Sequence, residues 1–167
     1  MKLPLTLLLT IHTWFRRILC LERRVKTRLR AAILEYLYET HTSPTPDVFD
    51  VELFSIMAPT CNSVYQGLPH LPPVTEKLLH YPEKRQTMWI KAFDLARVRV
   101  ENISIDWSTQ TIWTTYTLRA RHKDNFAFET AQLPLLDEHH SVRDFRFGLT
   151  LTLSNGRIIK KHEFRII

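Results

Sequence analysis

His162 is the residue of this chain best suited to moving a proton, and its neighbours in sequence say why. It lies in an alternating run, Ile158 to Ile166, that follows Asn155-Gly156 and mirrors a first run of Phe145, Phe147, Leu149, Leu151 and Leu153. Asn-Gly tolerates the positive φ of a two-residue hairpin turn, so Ser154 should face Arg157. Strict alternation then sets Phe147 opposite Phe164, Leu149 opposite His162, Leu151 opposite Lys160 and Phe145 opposite Ile166, with His162 on the apolar face. Desolvation there lowers the imidazole pKa and keeps a neutral base at pH 7. Tyr116, on the apolar face of its own strand, could donate to a developing oxyanion, as could Tyr36 or Tyr65 from the helical side. Cofactor-free dehydration or aldol cyclisation needs that set: a base for a proton next to a carbonyl, and donors for the enolate oxygen. The same position equally suits a core histidine bonded to a backbone carbonyl or a tyrosine hydroxyl. Asp144 and Glu163 fall on the opposite face with Arg146 and Arg165, where neutralising pairs are expected rather than a catalytic acid.

Other chemistries find no support. Glycine occurs only at 67, 148 and 156, so neither a phosphate-binding loop nor a dinucleotide fingerprint can be assembled, and there is no Gly-x-Ser-x-Gly elbow. His139 and His140 are adjacent and would point to opposite faces of a strand, and Cys20 and Cys61 have no zinc spacing; no metal and no cofactor are expected. Trp89, Phe93, Phe147 and Phe164, with Tyr36 and Tyr65, could line a pocket for a small apolar ligand. Trp113 is a further aromatic of this kind. Aromatics at such spacings also serve simply as core.

Charge is distributed unevenly. Residues 1–30 hold eight basic side chains against Glu22 alone, or +7, whereas the remaining 137 residues carry fifteen basic and sixteen acidic ones, or −1. The body therefore lacks the footprint of a nucleic-acid-binding protein. Residues 1–27 read as a basic amphipathic arm that packs on the domain or touches a membrane surface. Leu3 to Ile11 is too short to span a bilayer, which needs about twenty apolar residues. Lys2 before a short apolar stretch also fits a signal peptide, though no small-x-small cleavage site follows, and a mitochondrial presequence fits the arginines. With few cysteines the expected location is cytoplasmic, with mitochondrial or membrane-associated placement through the arm as the alternative.

The elements that must position these residues follow from periodicity. Leu7, Ile11, Trp14, Ile18, Leu21, Val25, Leu29, Ala32 and Tyr36 are spaced by threes and fours, which predicts one long helix or two separated near 20–26. Prolines 44 and 46 stop it. A short helix is expected from Asp47 to about Met57, ended by Pro59, then an irregular stretch over 58–74, and helical pieces opening at Thr75 and Pro82, the second through Trp89 and Phe93. From Arg97 the pattern is of strands. Val98 and Val100 change parity to Ile103 and Ile105, which predicts a bulge near Glu101-Asn102. Ile112, Thr114, Tyr116, Leu118 and Ala120 form one strand face, and Phe126 to Leu133 suggests another strand. Helices first and a sheet afterwards means α+β.

Four stretches, in this order, resemble the SnoaL-like branch of the nuclear-transport-factor-2-like superfamily, and small fungal members of it in particular: Arg30-Ala31-Ala32-Ile33-Leu34-Glu35-Tyr36-Leu37, Met57-Ala58-Pro59-Thr60-Cys61, Arg143-Asp144-Phe145-Arg146-Phe147, and Ser154-Asn155-Gly156-Arg157-Ile158 closing at His162-Glu163-Phe164. The likeness covers roughly residues 28–167, taken as one domain, and leaves the arm unmatched. It implies a cone-shaped fold in which a curved antiparallel sheet wraps the N-terminal helices around an apolar pocket. It also implies a cofactor-independent cyclase, dehydratase or isomerase, several relatives of which serve secondary metabolism, or a non-catalytic module that binds a small molecule or forms a homodimer through its sheet. Arg143 and Asp144 stand where the pattern has Asn and Glu, so the resemblance does not carry over a catalytic acid.

Overall fold

The structure, a computed structural model, describes residues 5–43, 51–67, 72–77, 89–123 and 141–166, without the side chains of 5–18, 74, 76 and 77. Helix α1 (Leu5–Thr42) runs unbroken across the expected arm boundary at 27. Among its described side chains, Ala32, Ile33, Tyr36, Leu37, Thr40 and His41 are buried, a stripe at helical spacing that faces the sheet. Its end is closed by Ser43 N–H donating to the Glu39 carbonyl. A one-turn helix α2 (Glu52–Ser55) buries Leu53 and Phe54.

Among the described residues six strands form one sheet: β1 (Met57–Gln66), β2 (Val74–Lys77), β3 (Phe93–Asp106), β4 (Thr111–His122), β5 (Val142–Ser154) and β6 (Arg157–Ile166), in spatial order β2-β1-β6-β5-β4-β3. The sheet is mixed rather than wholly antiparallel, because β1 runs parallel to β6. Two expectations are corrected here. The stretch 58–66 is strand and not irregular, and Thr75 lies in a strand and not a helix. Pro59 and a mixed polar pattern hid β1; a parallel partner and a covering helix supply what local propensity did not. Residues 89–92 are helical and Phe93 already begins β3. The readings at 44–50, 82–88 and 126–133 fall outside the described residues.

The expected bulge is present. Register along β3–β4 shifts between Val100 and Ile103, at Glu101-Asn102. The predicted inner face of β4 is buried as a set, from Ile112 through Ala120. Helix α1 lies across this face, tied to β3 by Arg30 Nη2 donating to the Glu101 carbonyl (2.9 Å) and to β6 by Tyr36. Between helix and sheet sits the core of Ile33, Leu37, Trp89, Phe93, Phe145, Phe147 and Leu149.

Candidate functional site

The closing hairpin turns at Asn155-Gly156, with φ of 50° and 74°, and pairs Ser154 with Arg157 and Leu153 with Ile158. One residue later the expectation fails. Thr152 pairs with Lys160, so Ile159 is an extra residue on β6, and every partner beyond it is displaced by one. Leu149 faces Glu163 rather than His162, and Gly148 rather than Phe147 faces Phe164. Because side chains alternate, a one-residue slip exchanges the two faces of the strand. Lys161 and Glu163 turn toward α1, while His162 and Phe164 turn to the outer face.

The neighbouring strand explains where the slip falls. The β1–β6 ladder is itself irregular between Met57 and Asn62, the stretch that contains Pro59, which has no N–H to give to a ladder. Ile158 is buried, its N–H donating to the Ile56 carbonyl (2.8 Å), and Ile159 stands exposed beside that gap.

The result is a buried polar cluster beneath the first helix. Lys161 and Glu163 retain 0% and 1% of their exposure, and Tyr36 1%. Lys161 Nζ donates to Tyr36 Oη at 2.9 Å and stands 3.9 Å from Glu163 Oε2. Lys and Glu are almost never fully buried unless paired, because each loses its hydration on entering the core. Tyr65 is the β1 partner of Glu163, and Ser63 that of Lys161, both buried. On the other flank, Thr114 lies across Leu149 from Glu163, and Tyr116 stacks on Phe147 at 5.2 Å. Trp89 is fully buried against Phe93 (4.5 Å), Phe145 (5.3 Å) and His41 (5.4 Å), and among the described residues its indole Nε1 has no hydrogen-bond partner. His41 Nδ1–H donates to the Leu37 carbonyl (2.7 Å), so this buried ring is fixed to the helix end.

Of the residues expected at the site, Tyr36, Tyr65, Trp89, Phe93, Tyr116 and Phe147 are buried together on the helix side. His162 is not with them. It is half-buried on the outer face, tilted against Phe164 at 5.6 Å, and desolvation followed by the Lys160 charge lowers its pKa. Phe164 leaves the expected lining as well: its ring lies over Gly148, where a Cβ would overlap it. Trp113 is exposed on that face. Asp144 is an exposed β5 residue opposite Arg119, and Arg146 pairs with Glu101 (2.8 Å) instead of an acid of the hairpin. Glu163 moves from the charged face to the buried one. Lys161 was not singled out by sequence, although the Ile158-Ile159 doublet, which breaks the alternation, was the available signal. Among the described residues no group of His, Cys, Asp and Glu is arranged to hold a metal ion.

No family model matches this chain, and no curated protein sequence does. Solved structures do. A candidate SnoaL-like polyketide cyclase from Jannaschia sp. CCS1 aligns with a TM-score of 0.51 at 18% identity, covering 84% of this chain and 83% of that one. AclR, a candidate hydroxylase from Streptomyces galilaeus, aligns at 0.54 with 14% identity, over 83% and 79%. PrhC from Penicillium brasilianum aligns at 0.52 with 12% identity, over 86% and 82%. The chain has the SnoaL-like, nuclear-transport-factor-2-like α+β fold. At these identities the likeness defines the fold and leaves the reaction to the residues.

Proposed function

We propose that the protein is a cofactor-independent lyase or isomerase, of the cyclase or dehydratase type, that moves a proton on a mostly apolar, carbonyl-bearing natural product. The observation that supports this most is the inward turn of Lys161 and Glu163 into an otherwise apolar core. Had β6 kept its register, His162 and Phe164 would occupy those places at far lower desolvation cost. Polar groups kept inside against the pattern are where function commonly overrides folding.

In this reading the Glu163 carboxylate accepts a proton from the carbon next to the substrate carbonyl. Lys161, with Tyr36 hydrogen-bonded to it, stabilises the negative charge that moves to the carbonyl oxygen. Both groups are held on rigid elements in a low-dielectric surround, where such interactions are strongest. Return of the proton to another carbon completes an isomerisation; its delivery to a departing hydroxide releases water and completes a dehydration. Phe147, Phe93 and Trp89 supply the apolar walls. On the outer face, Trp113, His162, Phe164 and Ile166 form a partly apolar surface that suits a second copy of the chain through the sheet.

Deuterium uptake tests the proposal without knowledge of the product. A panel of apolar cyclic ketones and β-diketones in D₂O, followed by NMR, should show protein-dependent exchange next to the carbonyl. Glu163→Gln should slow that exchange by about 10²–10⁴-fold, the usual contribution of a general base. Exchange that survives the substitution rejects Glu163 as the base. A second reading, a non-catalytic ligand-binding or dimerisation module, is favoured by the near-complete burial of Lys161 and Glu163. Ketones that bind saturably yet exchange no faster than in buffer would establish it.

A further inference from the structure

A second charged feature lies on the outer face of the sheet and is independent of the catalytic reading above. Arg97 of β3 and Arg119 of β4 are direct cross-strand partners, and Asp144 of β5 continues the row. Two residues along, Arg99, Thr117 and Arg146 form the next row. These four guanidiniums, from three adjacent strands, line a groove of about 360 Å³. That volume falls within the range of small-ligand sites.

Their electrostatics are unbalanced. Arg146 is answered by Glu101, whose Oε2 accepts from Nη2 at 2.8 Å and from Nε at 3.2 Å. Glu101 is itself held by the Thr117 hydroxyl (2.9 Å) and the Thr115 hydroxyl (3.3 Å). Among the described residues, Arg97, Arg99 and Arg119 form no ion pair and no side-chain hydrogen bond, and Asp144, although opposite Arg119, forms none either. The groove thus carries four positive and two negative charges. Like charges directly opposite in a sheet are destabilising. The cluster is not a consequence of overall basicity, since residues 31–167 sum to −1.

We propose that this groove binds a compact phosphate-bearing molecule, a phosphate ester or diphosphate. Arg97, Arg99 and Arg119 grip its oxygens as forks, and Arg146 is pre-positioned by Glu101 at the edge. Guanidinium groups match phosphate geometry with paired N–H donors, and a multiply charged anion relieves the repulsion between the facing arginines. Asp144, the cross-strand partner of Arg119, bounds the groove on the β5 side.

Inorganic pyrophosphate titrated calorimetrically into the full chain tests this. The expected result is saturable binding at one site, weakening as salt rises. The pair Arg97→Gln and Arg119→Gln should lower affinity at least about tenfold, because charged hydrogen bonds are lost. Arg119→Lys, which keeps the charge and disturbs the sheet least, should weaken binding through loss of the fork. Arg23→Gln with Arg24→Gln, in the basic helix, should leave it unchanged. The proposal is overturned if pyrophosphate shows no saturable binding, if both groove variants bind like wild type, or if the helix variant is the one that loses affinity.

Discussion

Lys161 and Glu163 make opposite demands on stability and on function. Breaking a buried pair strands one charge in the core, whereas replacing both members with apolar groups is often neutral or stabilising. Lys161→Met alone should therefore cost about 3 kcal/mol or more, and Lys161→Met with Glu163→Leu should recover most or all of it. Urea unfolding of the three proteins measures this. His162 gives a second residue-scale expectation. Its folded pKa is lowered from 6.5, so as pH falls the unfolded chain binds this proton first. Stability is complete above 6.5 and is lost as the pH drops through that value toward the folded pKa. The urea midpoint of wild type should fall relative to that of His162→Gln between pH 7.5 and 5, and a constant difference would show that the outer face leaves the imidazole unperturbed.

At the scale of elements, the β5–β6 hairpin holds both the success and the failure of sequence reasoning. Its turn was legible because Asn155-Gly156 has a local cause, and so was the Glu101-Asn102 bulge, because the apolar residues around it change parity. The bulge at Ile159 was not. Ile158, Phe164 and Ile166 share one parity with His162, which points the wrong set inward; the Ile158-Ile159 doublet is the one local trace of the slip, and the irregularity of β1 beside it lies about a hundred residues away in the chain. Tyr36, Tyr65 and Tyr116 are buried on the helix side as their patterns imply, but the face of β6 that meets them is the one opposite to that expected. Gly148 reports on the actual arrangement, since the Phe164 ring occupies the space above its Cα. Gly148→Ala should cost about 1–3 kcal/mol by overpacking, and Phe164→Ala in the same chain should absorb most of that penalty. Equal penalties with and without the Phe164 ring would place that ring elsewhere.

The whole molecule was legible in outline: an α+β chain with helices over a sheet, although the parallel β1–β6 pairing and the β1–β2 edge escaped prediction. Long-range parallel pairing leaves no hairpin signal in sequence. Among described side chains, burial on α1 begins at Ala32, and Arg28 and Arg30 reach Glu52 (2.9 Å) and the Glu101 carbonyl (2.9 Å). Removal of residues 1–25 should leave the thermal midpoint nearly unchanged while taking away five basic residues and Glu22, moving the net charge from +6 to +2. A drop of many degrees would show that the first turns of α1 belong to the core. The proposed site depends above all on which face of β6 meets that helix. Nuclear Overhauser contacts from the Tyr36 ring decide it: the structure predicts them to the Lys161 ε-methylene, with Leu149 paired to Glu163 across the strands. Contacts from the Tyr36 ring to the His162 imidazole, with Leu149 paired to His162, would restore the unbulged register and contradict the proposed site.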